Sequence, residues 1–258
     1  MIDVSNIDSY PIELKKCIMS YLSKMPSDFI AKIKSNKIEY EIDIRCAIED
    51  YLGPWRAVSF YEDLVSLMDK YDLIVYHGTK MLNKTMVLEN GLKVNDWNRY
   101  STLLFDTFNL LGMSGNDINE TMEYVESEYE RKYSPYDIAP QLYFFSGLNL
   151  IDNDIVGYEQ FCESIGGEIA RWALEEKHLE KYKLLKDNGE AFIVKFKLAF
   201  ADVASFQKDI IAYQFVSHYA AKEFFDFSYQ VKFDGTTTKD VPSNNILEII
   251  PYKNETAT

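Results

Sequence analysis

Apolar residues recur at helical spacing through the N-terminal part of the chain. From Ile12 to Leu22 they repeat every three or four positions, which is typical of a helix that buries one face. A similar pattern runs from Ile42 to Leu52 and stops at Gly53-Pro54, a pair that ends helices. With a further segment at 59–71, these patterns predict a helical region over residues 1–70.

The pattern changes at Asp72. Leu73-Ile74-Val75-Tyr76 is a short apolar run that predicts a buried strand, and this strand is expected to stop at His77-Gly78-Thr79. A helix from Leu82 to Glu89 follows and ends at Asn90-Gly91, because glycine readily takes the left-handed conformation of a helix C-cap. The chain therefore passes from helices into a strand–helix unit at this point.

Later segments carry further strand patterns. They are Gln141–Phe145, Ala191–Leu198, Phe227–Phe233 and Ile246–Pro251. Residues 98–140 are less regular and are interpreted as an insertion over a site, whereas 158–186 has a largely helical pattern. We therefore predict an α+β protein in which the helical region, residues 1–70, precedes an α+β domain over residues 71–258.

The composition is that of an acidic protein. Its 258 residues include 27 Lys and Arg against 41 Asp and Glu, a formal net charge of −14, which disfavours non-specific binding to nucleic-acid phosphates. Three widely spaced cysteines without a CxxC pair favour free thiols in a reducing cytoplasm. Three histidines without paired spacing predict no metal site. Neither a signal-peptide pattern nor a membrane-spanning run is present, so we expect a cytoplasmic protein with no membrane partner.

The triplet His77-Gly78-Thr79 carries the strongest chemical signal. A strand that delivers His77 to its carboxyl end allows the imidazole to hydrogen-bond a ribose hydroxyl. Gly78 lets the main chain approach a flat ligand closely. The adjacent peptide group offers one donor and one acceptor, which is what a carboxamide requires. The competing interpretation is a surface histidine at a strand-end turn.

The segment from Leu73 to Leu92 resembles the first motif of the ADP-ribosyltransferases of the His-Tyr-Glu type, which include the poly(ADP-ribose) polymerases. Members commonly show an apolar strand, His-Gly-Ser or His-Gly-Thr, a helix and then Gly-Leu, as at Gly91-Leu92. The resemblance implies a split antiparallel β-sheet that binds NAD⁺ as substrate, with His77, Gly78 and Thr79 in the nicotinamide pocket. RNA 2′-phosphotransferases share this opening but use further basic residues, and no Arg-rich cluster beyond Arg99 follows Gly91-Leu92.

The second motif of the family is a strand that contains a tyrosine, often Gly-Ile-Tyr-Phe. Leu142-Tyr143-Phe144-Phe145-Ser146 is similar to the later half of this motif, although the family's glycine is absent. The resemblance implies that Tyr143 stacks on the nicotinamide ring, since an aromatic face attracts a flat cationic ring. It also implies that Ser146 belongs to the NAD⁺-binding residues. The competing interpretation is a core strand with three aromatic residues.

The third motif is a glutamate on a late strand, which polarises the nicotinamide-ribose 2′-hydroxyl and stabilises the developing oxocarbenium ion. In the register set by Val241-Pro242 and the final strand, Gln230 stands where this glutamate is expected. Glutamine orients NAD⁺ by hydrogen bonding but brings no charge, and family members without the glutamate tend towards mono-ADP-ribosylation or are inactive. Glu168, which follows Gly166-Gly167, is the alternative catalytic carboxylate.

The resemblance covers residues 72–251 and implies a mono-ADP-ribosyltransferase. Such an enzyme cleaves NAD⁺ to nicotinamide and transfers ADP-ribose to a macromolecular acceptor, RNA, DNA or protein, which the 98–140 insertion would position. The family includes bacterial toxins and phage-defence effectors, so the resemblance also implies such a role and an inhibitory partner protein. Two alternatives stay open: an NAD⁺ glycohydrolase, and a non-catalytic interaction module on a degenerate transferase fold, which Gln230 and the acidic surface favour.

Overall fold

The computed structural model describes residues 1–35, 41–94, 96–133, 140–148, 150, 158–226 and 228–252. Within these ranges the protein is α+β with a five-stranded antiparallel sheet, which confirms the α+β class predicted from the sequence. Residues 134–139 of the predicted insertion and Phe227 of the predicted late strand lie outside the described residues. No described helix is both long enough and apolar enough to cross a lipid bilayer.

The N-terminal helices are followed along the chain by a mixture of strands and helices. The helices are α1 (Ile12–Leu22), α2 (Ser27–Ser35), α3 (Glu41–Leu52), α4 (Pro54–Met68), α5 (Thr85–Asn90), α6 (Trp97–Leu110), α7 (Gly115–Tyr133), α8 (Gly167–Leu174), α9 (Leu179–Asp187) and α10 (Ser205–Ala220). The strands are β1 (Asp72–Met81), β2 (Leu142–Phe145), β3 (Glu190–Ala199), β4 (Asp234–Thr237) and β5 (Ile246–Pro251). Their order in the sheet is β4-β2-β1-β3-β5, so β1 is the central strand and β2 is its neighbour.

The chain divides into two compact units. The first contains residues 1–75, 145–147 and 197–236, and the second contains residues 76–144, 148–196 and 237–258. The first unit therefore includes α10 as well as the helices predicted for residues 1–70. The second unit includes α5 to α9 and the pairing of β3 with β5, which runs antiparallel from Phe192 opposite Pro251 to Phe196 opposite Ile246.

The core of the first unit is built around α10. Phe215 of this helix is fully buried, and its ring stacks on Tyr10 at 3.6 Å between ring centroids. The buried residues of α10 are mostly apolar or small, and they include Ile211, Val216 and Ala220. Each position from Ile211 to Ala220 is buried or half-buried, so this stretch has no exposed polar face, which explains why periodicity did not predict it.

The strand predicted at Phe227–Phe233 is wrong. The main-chain N–H of Lys232 donates to the side-chain oxygen of Gln214 on α10 at 3.2 Å, and the hydroxyl of Tyr229 donates to the same oxygen at 3.0 Å. The main-chain N–H of Lys232 is thus bonded to a helix side chain and not to a neighbouring strand, and residues 228–233 form no strand. The late strand, β4, begins only at Asp234.

The core of the second unit lies between α6, α7, α8 and α9. Its fully or nearly fully buried members include Leu104 and Phe108 of α6, Val125 of α7 and Leu174 of α8. Asp96 caps α6, because its carboxylate accepts from the N–H of Arg99 at 3.1 Å. Part of the predicted irregular insertion is therefore an ordered helix, α6, with one buried face.

Candidate functional site

A cavity of about 910 Å³ lies within the second unit. β1 contributes His77 to Met81, β2 contributes Leu142 and Tyr143, and α6 contributes the face between Asn98 and Leu110. The turn after α5, Phe161 and the segment Ile165–Ile169 also line it. The volume is near the upper end of the range of roughly 300–1,000 Å³ that is typical of small-molecule sites.

The imidazole of His77 is hydrogen-bonded to the main chain of Tyr143. Its Nδ1 lies 2.8 Å from the carbonyl oxygen of Tyr143. A carbonyl oxygen can only accept, so Nδ1 carries the proton and donates it. In the neutral ring Nε2 is then the acceptor. The adjacent strands β1 and β2 thus set a tautomer of His77 that can accept a hydrogen bond from a hydroxyl group.

The surroundings of His77 keep its ring uncharged at neutral pH. Burial lowers the pKa of His77 to about 4, although the hydrogen bond to the Tyr143 carbonyl acts in the opposite direction. Burial has this effect because a low-dielectric environment disfavours the protonated form. A neutral imidazole can share the cavity with a cationic ligand ring without charge repulsion.

Aromatic faces lie beside this histidine. The rings of Tyr143 and Phe161 are 5.9 Å apart between centroids with an interplanar angle of 29°, and Phe161 lies 6.5 Å from the imidazole of His77. All three side chains line the cavity, and Tyr143 is 40% exposed. Such an arrangement is suited to stacking on a flat ring. No local sequence pattern marks Phe161 as a residue of this site.

Close packing around Gly78 leaves no room for a side chain at this position. A Cβ atom at this position would lie 2.8 Å from the Sγ of Cys162 and 3.3 Å from the Cβ of Phe161. β1 also continues through Gly78 and Thr79 to Met81. The expected strand end at His77 is therefore wrong, and His77 lies inside the central strand, where sheet partners extend β1 past a glycine that ends the apolar run.

Cys162 is buried next to this strand. Burial raises the pKa of its thiol to about 12, while the main-chain amide of Thr79 and the charge of Lys80 lower it less strongly. The thiol therefore stays protonated at neutral pH and is not an activated nucleophile.

Glu168 brings a carboxylate to the cavity. It lies in the first turn of α8, directly after Gly166 and Gly167, whose φ angles of 82° and 57° require glycine-like freedom. Its Oε1 accepts a hydrogen bond from Nζ of Lys132 at 3.0 Å. Of the two catalytic candidates proposed for the third motif, Glu168 is the one found in the described lining. Asp106 of α6 is a further lining carboxylate that sequence analysis did not single out.

Ser146 and Gln230 belong to the first unit and not to the described lining of the cavity. Ser146 is buried; its Oγ accepts from the N–H of Phe233 at 3.1 Å, and its N–H donates to the Phe233 carbonyl at 2.9 Å. These bonds tie the end of β2 to the segment before β4. Gln230 is exposed and precedes β4 without belonging to a strand, so its predicted strand position is wrong.

The carboxylate of Asp240 binds several hydrogen-bond donors at the edge of the cavity. Nη1 of Arg99 contacts both carboxylate oxygens of Asp240, at 2.8 and 2.9 Å. Nζ of Lys93 lies 3.4 Å away, and the N–H of Val94 donates at 3.1 Å. Partial burial pushes the pKa of Asp240 upward, but these three donors hold it below its usual value. The bonds fasten the turn after α5 to the residues before β5, and no sequence motif had marked Asp240.

No family model matches the chain, and comparison with curated proteins and with solved structures likewise finds no match. Among the described residues, no group of three or more His, Cys, Asp and Glu side chains is placed to hold a metal ion. The functional interpretation therefore depends on the geometry of the cavity and on the motif residues within it.

Proposed function

We propose that the protein is an NAD⁺-dependent mono-ADP-ribosyltransferase with a fold of the ADP-ribosyltransferase type, and that the cavity of the second unit is its NAD⁺ site. One observation carries the proposal. His77 and Tyr143, 66 positions apart in the chain, are joined by a hydrogen bond of 2.8 Å and line the same cavity. Two residues chosen by motif alone are thus brought together where a ligand fits.

The nicotinamide ring would bind beside Tyr143 and Phe161. Its positive charge is attracted by aromatic faces, and the neutral His77 does not oppose it. The free Nε2 of His77 would accept a hydrogen bond from a hydroxyl of the nicotinamide ribose. The cavity is large enough for the ring, its ribose and part of the remaining dinucleotide.

The reaction breaks the bond between the ribose C1′ and the nicotinamide nitrogen. The bonding electron pair leaves with the nitrogen, so nicotinamide departs neutral and the ribose becomes an oxocarbenium ion. Glu168 would stabilise this cation and polarise the ribose 2′-hydroxyl, the role that the family gives to its glutamate. A nucleophilic atom of the acceptor then bonds to C1′ and transfers its proton to water.

The test is nicotinamide release from NAD⁺ by the purified full-length protein, with and without cell lysate. His77→Ala should abolish release, whereas His178→Ala, which removes a histidine outside the described cavity lining, should not. Release that requires lysate, together with label from the adenylate part of NAD⁺ on a macromolecule, supports transfer. Release into water alone indicates a glycohydrolase, and no release under either condition favours an interaction module.

On the resemblance alone, the biological role we propose is that of a toxin or phage-defence effector restrained by a partner. Expression of the active chain should then slow the growth of a bacterial host, and His77→Ala should remove the effect. Equal toxicity of the two forms would overturn this role without bearing on NAD⁺ binding.

A further inference from the structure

The helices α6 and α7 are joined by only four residues, 111–114, and border an open groove of about 460 Å³. The groove lies in the second unit, and both helices line it. Its lining consists of Trp97, Ser101, Thr102 and Phe105 of α6 and Asn119, Met122, Glu123 and Glu126 of α7.

The described lining of this α6–α7 groove includes three large apolar residues, Trp97, Phe105 and Met122. Phe105 is 42% exposed, whereas Trp97 and Met122 are half-buried and pack against the core of the second unit. An exposed aromatic ring beside two anchored apolar side chains offers contact area that costs little conformational entropy on binding.

The α7 side of the groove is negatively charged. Glu120, Glu123 and Glu126 are exposed and follow one another at three-residue spacing, so they share one side of the helix. Within the described residues neither Glu123 nor Glu126 forms an ion pair; the ion pairs of α7 involve Glu128, Arg131 and Lys132 near its C-terminal end. The groove thus combines apolar contacts with uncompensated negative charge.

We propose that the α6–α7 groove docks a basic amphipathic helix of a partner protein. Apolar side chains of that helix would contact Phe105 and Met122, and its lysine or arginine residues would lie against Glu123 and Glu126. A groove between two helices accepts a third helix by ordinary side-chain packing. The carboxylates select a basic partner and repel nucleic-acid phosphates.

Docking there would contact the same helix that lines the cavity. Thr102 borders both the groove and the cavity, and Arg99 and Leu103 on α6 also line the cavity. A bound partner would therefore contact α6, which forms one wall of the proposed NAD⁺ site, from outside that site. Docking itself does not depend on NAD⁺ chemistry, so it can be measured separately.

The probe is a fluorescein-labelled synthetic amphipathic helix with leucine on one face and lysine on the other, titrated with the full-length protein by fluorescence anisotropy. Binding should weaken with added salt. Glu123→Lys/Glu126→Lys and Phe105→Ala should each weaken it by about tenfold or more. The control Glu176→Lys/Glu180→Lys makes the same charge change at exposed glutamates outside the groove and should leave most of the affinity.

Equal losses of peptide affinity in both charge-reversal variants would overturn the proposal. They would show that the basic peptide is attracted only by the net charge of the protein and not by the groove. Equal binding of a matched peptide with glutamate in place of lysine would also overturn it. So would a concentration-dependent dimer, seen by sedimentation and abolished by Phe105→Ala, since a second copy would then occupy the groove. Melting curves check that each variant is folded. Nicotinamide release is measured on the same samples, so failure of either proposal is distinguishable from failure of the other.

Discussion

The Nδ1 of His77 lies 2.8 Å from the main-chain carbonyl oxygen of Tyr143, not from its side chain. Replacing the Tyr143 ring therefore leaves the acceptor of His77 in place. The orientation of the imidazole and the stacking surface of the tyrosine are set by different atoms of one residue. Substitutions at the two positions accordingly test two separate contributions to ligand binding.

Tyr143→Ala should raise the KM for NAD⁺ about tenfold, because the loss of a stacking and cation–π contact costs roughly 0.5–2 kcal/mol. Tyr143→Phe should stay close to the wild type, since the aromatic face is kept. Steady-state nicotinamide release measures both. The ring is 40% exposed, so neither change should unfold the protein. An unchanged KM in the alanine variant would remove Tyr143 from the nicotinamide site.

Glu168→Gln should lower kcat by about a hundredfold or more, because the proposed site would lose its charged stabiliser of the transition state. Gln230→Ala should leave kcat within about twofold, since Gln230 does not belong to the described lining of the cavity. Single-turnover release of nicotinamide compares the variants. The opposite result, a large loss at 230 and none at 168, would show that the late segment supplies the third catalytic group.

The contribution of His77 to folding stability should depend on pH. Its pKa is about 4 in the folded protein against 6.5 for a free side chain, so the unfolded chain takes up the proton first as the pH falls. Above pH 6.5 His77 is uncharged in both states, so the free energy of unfolding is fully retained. Between pH 6.5 and 4 it falls, because mainly the unfolded chain binds the proton. The loss is at most about 3.4 kcal/mol.

Urea unfolding of the wild type and of His77→Gln across this pH range measures that loss. His218, whose pKa is also lowered by burial, is present in both proteins, so the difference between the two curves isolates His77. The wild type should lose more stability than the variant on acidification. Parallel curves would mean that His77 titrates normally in the folded state.

Gly91→Ala should destabilise the fold by more than about 3 kcal/mol, through a main-chain clash added to left-handed strain. A Cβ atom at Gly91 would lie 1.9 Å from the carbonyl oxygen of Val241. Gly112→Ala is the matched control, because its φ of +81° is similar to the +72° of Gly91 but no atom lies within 4 Å. It should cost about 1 kcal/mol. Equal losses in thermal or urea unfolding would contradict the close contact.

Several elements follow from local pattern alone. α1 and α3 occur where apolar residues repeat at helical spacing, and β2, β3 and β5 occur where short apolar runs lie between breaking residues. His77, Tyr143 and Glu168 were chosen by the family resemblance, and all three line one cavity. The predictions of these helices and strands were confirmed because each element depends on which face of one segment is buried.

Other features depend on contacts between distant segments, and only the tertiary structure decided them. From Ile211 to Ala220, α10 is buried or half-buried at every position, so this part of its sequence lacks the polar face that reveals a helix. The main-chain N–H of Lys232 bonds to the Gln214 side chain on α10, at a place where the sequence predicted a strand.

By itself, the sequence determined the α+β class and the motif residues His77 and Tyr143. The tertiary structure decided that Phe161 and Glu168 join them in the cavity and that Gln230 does not belong to the described lining. The physical reason is that periodicity records the burial of a residue but not the identity of its distant neighbours, whereas a binding cavity is defined by those neighbours.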